Sequence, residues 1–517
     1  MVEYESKEGQ FIKINDSPSV PPMPTIQDKT KIDVRYIVID PYVSIHIYWH
    51  SEKHEIIYEV EEPILDDKGK KDLDAIEKAM IEVININIVV EKTKDAMLQY
   101  IDKTARKLII ELGLNVSEEE YKKLFYYLYR DFVGLNEVEP LIKDYFIEDI
   151  ECNGINTPIY IVHRVYRNIK TSVAFKSMDG LTSFVEKLAQ RANKYISYAS
   201  PILDGSLPDG SRVNATYTQD ITSRGPTFTI RKFTKAPWTP TQLILKGTVS
   251  PEMLAYLWLL IEHKGSLLIS GGTASGKTTL LNAIAFFIPP EARVVSIEDT
   301  REISLFRENW LPSVVRSSVG MGKVGEVNMF SLLRSSFRQN PDYVIVGEVR
   351  GEEASVLFQG MASGHSSIST VHADSVDTLI KRLETPPINL SPTLINTLDC
   401  VSIMTHAIVN KQETRKLREI VEIQGVSPQG VAQTNTPYMW NAREDAFYFK
   451  KHSIVFDKIS KRFGLTIDEL DKEFKRRTLL LNELVKRRIF KFEEVQDIIN
   501  HYYKDSRTVL DTFGVGL

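Results

Sequence analysis

Nine consecutive residues, Gly271, Gly272, Thr273, Ala274, Ser275, Gly276, Lys277, Thr278 and Thr279, carry the residue types that a triphosphate needs. The first eight satisfy G-x-x-x-x-G-K-[ST] in full. Gly271 and Gly276 let the backbone curl tightly, so that successive N–H groups point inward as a nest for phosphate oxygens. A helix expected to open near Lys277 adds its positive end to that nest. Lys277 can then reach the β- and γ-phosphates, and the Thr278 hydroxyl is placed to ligate Mg²⁺. ATP and Mg²⁺ are the expected ligands.

Further chemistry-bearing residues follow along the chain. Asp342 to Val346 reads as an apolar strand that delivers Glu348 beside the P-loop strand. Many P-loop enzymes place an Asp on the metal at this point. Gly347 stands there instead, so Glu348 is expected to act on the metal through water or to polarise the attacking water. His365 and His372 lie seven apart, and an unbroken strand would point them to opposite faces. Gly364 and the Ser366-Ser367 pair supply a bend, and His372 is the better phosphate sensor. Arg212, Arg224 and Arg231 cluster after the turn at Leu207 to Gly210, while Arg334 and Arg338 precede the second strand.

These residues need elements to hold them. Leu267–Ser270, Val294–Glu298, Tyr343–Val346 and Ser367–Val371 read as strands alternating with helices, which predicts a largely parallel α/β sheet. Upstream, three alternating runs at 34–39, 43–49 and 55–60 predict strands. The period turns helical from Asp72 to Asp144, with a capping box at Ser117 to Glu120. Residues 158–235 return to strands and turns, with one helix near 181–194. The last 65 or so residues are charged and helical at 467–485 and 492–503. The predicted organisation is a Pro-rich tail at 1–30 that packs no core, an α+β domain at 31–235, a linker at 236–250 and a P-loop domain with C-terminal helices at 251–517. Pro237 and Pro240 mark the linker, because two prolines in four residues resist both helix and sheet.

Composition narrows the class. A chain of 517 residues exceeds one core. The net charge of −5 argues against bulk nucleic-acid binding. The longest apolar run, Met253 to Ile261, is nine residues and falls short of a membrane span. The first residues, Met1-Val2-Glu3-Tyr4-Glu5, show no secretory h-region. Two cysteines, Cys152 and Cys400, exclude a disulfide framework or a four-cysteine zinc site. A soluble cytoplasmic protein with at most peripheral contact at the cytoplasmic membrane is expected.

Four segments in register carry a family resemblance. Gly271 to Thr279, Ile297-Glu298-Asp299-Thr300-Arg301-Glu302, Val346-Gly347-Glu348-Val349-Arg350, and Gly364-His365 through His372-Ala373 resemble the Walker A, Asp box, Walker B and His box of the type II/IV secretion ATPase superfamily. Asp149 to Gly154 and Pro208 to Asn214 resemble its first domain. Within the superfamily the chain is most similar to the archaeal branch, and there to the archaellum motor ATPase. The resemblance implies a RecA-like ATPase domain, a homo-hexamer, and force passed to a polytopic membrane platform protein with accessory regulators. It implies that Glu302 is the general base for water and that Glu348 and Lys277 serve catalysis. His372 and His365 become phosphate sensors, and Arg212, Arg231 and Arg338 become contacts from the first domain or a neighbouring protomer. Glu298 and Asp299 also read as strand-end acids on a solvated loop. Two other readings stay open. One is a RecA-like nucleic-acid translocase, although nucleic acid is not the expected partner. The other is a nucleotide-dependent scaffold with negligible turnover, which the glycine at 347 favours.

Overall fold

The computed structural model describes residues 14, 28–83, 94–233, 237–316, 325–409, 412–427, 430–450 and 452–515. The chain divides into two compact units, Met1–Phe233 and Thr234–Leu517.

Alternating apolar residues build the first unit. Its strands are β1 (Asp33–Ile39), β2 (Val43–His50), β3 (Glu55–Glu61), β4 (Ile147–Cys152), β5 (Tyr160–His163), β6 (Arg167–Thr171), β7 (Ile202–Ser206), β8 (Arg212–Thr216) and β9 (Thr227–Arg231). They form one sheet in the order β1-β2-β3-β6-β5-β4-β9-β8-β7, antiparallel except where β3 meets β6. Val43, Ile45 and Ile47 of β2 point inward as the period-two pattern requires. Helices Asp67–Val83, Lys94–Glu111 and Glu118–Leu128 add Ile76, Met80, Leu98, Ile101, Tyr121 and Leu124 to the same core. Ser117 and Glu120 close the expected capping box. One expectation needs correction. Ile14 belongs to the segment predicted to pack no core, yet it is buried in this one. The rest of that tail before Asp28 lies outside the described residues.

The second unit follows the predicted strand–helix rhythm. Its strands are β10 (Leu267–Gly271), β11 (Val294–Glu298), β12 (Trp310–Val314), β13 (Tyr343–Val349), β14 (Ser366–Val371), β15 (Cys400–Val409), β16 (Gln412–Val426), β17 (Ala432–Asn441) and β18 (Ala446–Phe449). The sheet order is β12-β11-β13-β14-β10-β15-β16-β17-β18. Pairing is parallel from β12 to β15 and antiparallel from β15 to β18. Neighbouring residues of one strand serve different cores: Tyr343 and Ile345 face one, Val344 and Val346 the other. Burial on both faces explains the continuous apolar runs.

The nine-residue apolar run belongs to helix Pro251–Glu262, whose residues Met253 to Ile261 are all buried. Helices Ile467–Lys486, Phe492–Lys504 and Ser506–Phe513 pack into the same core. Among the described residues no helix is long and apolar enough to cross a membrane.

The linker reading also changes. Residues 240–245 form a helix that Pro240 opens at its first turn, with Thr239 and Gln242 as a capping box. Proline is tolerated there because the first N–H groups of a helix have no partner within it. Thr241 donates to the Ile489 carbonyl at 2.8 Å, which ties this helix to the C-terminal region. Lys235 and Ala236 lie outside the described residues.

Glu422 of β16 fastens the C-terminal helices to the sheet. Its buried carboxylate accepts from Tyr256 Oη at 2.9 Å, Asn435 Nδ2 at 2.7 Å, Ile454 N at 2.8 Å and the Ser453 hydroxyl. Removing an acceptor that serves several buried donors leaves all of them unsatisfied. Glu422→Ala is expected to cost about 3 kcal/mol or more in urea denaturation, and Glu422→Gln less.

Candidate nucleotide site

β10 runs directly into the phosphate nest. A Cβ at Gly271 would stand 2.4 Å from the Met404 carbonyl oxygen of β15, so only glycine lets the loop turn there. Helix Lys277–Ala285 begins at the lysine, with its first amides turned toward the loop. Lys277 is buried, and its ammonium donates to the carbonyls of Gly271 at 3.0 Å and Gly272 at 2.9 Å. Loss of hydration pushes the Lys277 pKa down, and Glu348 opposes that shift.

The acids arrive from two other strands. β13 carries Glu348 near its end and runs one residue further, to Val349, and it is not adjacent to the P-loop strand. β14 lies between them, so β10 is flanked by β14 and β15. This insertion places His372, just past the end of β14, between lysine and glutamate. His372 Nε2 is 3.4 Å from Lys277 Nζ and 3.4 Å from Glu348 Oε1. Partial burial and the nearby Lys277 charge lower the His372 pKa, which favours the neutral ring. Glu348 also pairs with Arg350 through Oε2. Thr370 holds the turn by donating to the Gly347 carbonyl at 2.6 Å.

Glu298, at the end of β11, is 1% exposed and so is not a solvated loop acid. Its Oε1 accepts from the amides of Glu302 and Ile303, both at 2.7 Å, while Oε2 is buried without a partner. Burial raises its pKa to about 7 against the two amides that lower it. A Cβ at residue 347 would lie 3.3 Å from Glu298 Cγ. The glycine in the second motif therefore has a steric reason: Glu298 occupies the space a larger residue would need. Glu302 itself is exposed at the same edge.

Other predicted residues lie elsewhere. His365 precedes β14 at the opposite end from His372, roughly 20 Å away at about 3.3 Å per residue. Its ring packs on Phe337 at 4.9 Å between centroids. Arg338, exposed on the turn Phe337–Gln339 that precedes β13, belongs to that same end. Arg212 and Arg231 sit in the first unit, directly opposite each other on β8 and β9. They pair with Asp204 at 3.2 Å and Asp149 at 3.1 Å.

Two arginines at the site carried no sequence signal. Arg415 donates to the Ala274 carbonyl at 3.0 Å, and Arg418 to the Asp374 carbonyl at 2.9 Å. Both come from β16, and only the antiparallel return of the chain onto β15 brings them to these loops.

Parallel strands delivering a P-loop, two acids and a histidine to one edge define a RecA-like P-loop nucleotide domain. The family model for "Type II/IV secretion system protein" matches residues 133–438, and the chain belongs to that family. An uncharacterized protein of Methanocaldococcus jannaschii is 35% identical over 489 residues, which covers 93% of this chain and 86% of the relative. The type IV secretion system protein PtlH of Bordetella pertussis is 32% identical over 229 residues, 40% of this chain and 67% of PtlH. Among solved structures, the ATPase DotB of Legionella pneumophila is 17% identical with a TM-score of 0.40, covering 68% of this chain and 91% of DotB.

The raised pKa of Glu298 has a sign that can be checked. Between the ordinary value of 4.5 and about 7, the folded state keeps a proton that the unfolded state has lost. Stability from this group is therefore lost as pH rises through that window, by up to about 3 kcal/mol. Glu298→Gln should abolish that loss, gaining on the wild type in urea titrations as pH goes from 5 to 8.

Proposed function

We propose that this chain is the ATP-hydrolysing subunit of a hexameric motor that drives an archaellum, a type IV pilus-like filament or a secretion machine. The observation that carries the proposal is the convergence of Lys277, His372, Glu348 and the Glu302 loop on one P-loop, in a chain of the type II/IV secretion system family.

In this reading the triphosphate lies in the nest from Gly271 to Thr279. Lys277 exchanges the two loop carbonyls for β- and γ-phosphate oxygens, a short move for a flexible ammonium. Glu302 takes the proton from the attacking water, and its exposure leaves the carboxylate free to do so. Neutral His372 stands between lysine and Glu348, where its Nε2 accepts from the one or donates to the other according to tautomer, and senses the γ-phosphate. Mg²⁺ suits this donor set, because the Thr278 hydroxyl is supplemented by the Glu348 carboxylate beside His372 and by the buried, unpartnered Oε2 of Glu298; when bound it would neutralise phosphate charge.

The transferred phosphoryl group needs more positive charge than Lys277 supplies. Arg212 and Arg231, released from Asp204 and Asp149, provide it from a first unit, and Arg338 from a neighbouring protomer. Turnover then moves first units against second units about residues 235–240. The motion passes to a polytopic membrane platform protein with its accessory regulators, at the cytoplasmic face of the membrane.

Phosphate release by wild type, Lys277→Ala and Glu348→Gln tests the reading. Each variant should lose at least about 100-fold in rate, and native mass measured with ATP should be that of six chains. Equal background rates in all three would leave only a nucleotide-dependent scaffold.

A further inference from the structure

Asn282 is a buried polar residue outside every motif described above. It lies five residues beyond Lys277 on the helix Lys277–Ala285, about 7.5 Å along the axis. Only 5% of it is exposed. Its amide faces the loop that carries Glu302 and engages it at both ends. Nδ2 donates to the Glu302 carbonyl at 3.0 Å, and Oδ1 accepts from the Ser304 amide at 3.0 Å. A carbonyl demands a donor and an N–H demands an acceptor, so one amide orientation satisfies both.

Glu298 grips the same loop from β11. Its Oε1 takes the amides of Glu302 and Ile303. Four backbone groups across three residues are thus held by two buried side chains from two elements. Between them Ile303 is fully buried in the core that also contains Leu281 and Ile284 of the P-loop helix. The backbone of Glu302 is fixed on every side, while its carboxylate stays exposed.

We propose that Asn282 is a positioning residue for Glu302, and that it makes occupation of the P-loop and placement of Glu302 a single event. The inference rests on the reading of Glu302 as the base for water. The helix that offers its first amides to phosphate also carries Asn282, so a shift of that helix on binding nucleotide carries the Glu302 loop with it. Ala at 282 would free the loop on its inner side. Leucine keeps the same branched skeleton of side-chain heavy atoms and removes both hydrogen bonds, so it serves as the probe.

The test is a double-mutant cycle of Asn282→Leu with Glu302→Ala, read by steady-state ATP turnover and by binding of a fluorescent ATP analogue. Asn282→Leu alone should lower kcat about 10- to 100-fold, the cost of misplacing a reacting group by an ångström or so. Its KM and its analogue Kd should stay within about threefold of wild type, because the nest is untouched. In the Glu302→Ala background the same substitution should cause no further loss. An additional, multiplicative loss there would assign Asn282 a general structural role and overturn the proposal. Glu302→Ala inactive with Asn282→Leu fully active would overturn the positioning role alone. Wild-type turnover in Glu302→Ala would remove the reading of Glu302 and the inference with it. Should Asn282→Leu fail to fold, hydrogen exchange of the wild-type amides of residues 302 to 304 decides. Slower exchange with a non-hydrolysable ATP analogue supports the coupling, and unchanged exchange overturns it.

Discussion

Space at the carboxyl edge of a parallel sheet is scarce, and the contest between Glu298 and residue 347 for one pocket of it organises this site. The side chain of Glu298 fills the volume beside Gly347, so any larger residue there would press on its methylenes at 3.3 Å. Because the glutamate is turned inward, one oxygen reaches the amides that begin the Glu302 loop. The other remains unpaired among buried atoms, which is costly for an ionised group and raises its pKa. The glycine of the second motif on β13 thus stands against a buried acid from β11.

Charge is arranged around the same edge so that no group is left fully unbalanced. Lys277 rests on two carbonyls, Glu348 on Arg350, and His372 stays neutral between lysine and glutamate. Each of these contacts is of a kind that an anionic ligand could replace without leaving a buried charge unpaired. The inserted strand β14 makes this possible. It separates lysine and glutamate by one strand width and places a histidine in the gap.

Much of this was legible beforehand. The strands at 267–270, 294–298 and 343–346 are largely apolar runs, and burial on both faces leaves that mark on a sequence, whereas 367–371 is mostly serine and threonine although equally buried. The capping box at Ser117 is legible because it depends on residues three apart. Glycine at 271 is legible for a similar reason, since the turn it allows is local, although the carbonyl that enforces it belongs to Met404. The resemblance on four motifs placed the chain in the family that the match over residues 133–438 shows. Harder to read were the prolines at 237 and 240, because the same residue ends one helix and opens another. Ile14 was missed because the prolines and polar residues of the segment as a whole outweighed the short apolar run Phe11-Ile12-Lys13-Ile14.

By itself the sequence determined the nest, the lysine and the acids, because their chemistry follows from residue types at fixed short spacing. It also determined the alternation of strand and helix, since periodicity is a local property. Tertiary structure alone decided strand order, and with it that β14 intervenes and that His365 and Arg338 fall at the other end of the sheet. It alone brought Asn282, Arg415 and Arg418 to the nucleotide loops. Those contacts join residues up to 141 positions apart. No spacing rule reaches that far, because sequence separation stops predicting distance once the chain has folded back on itself.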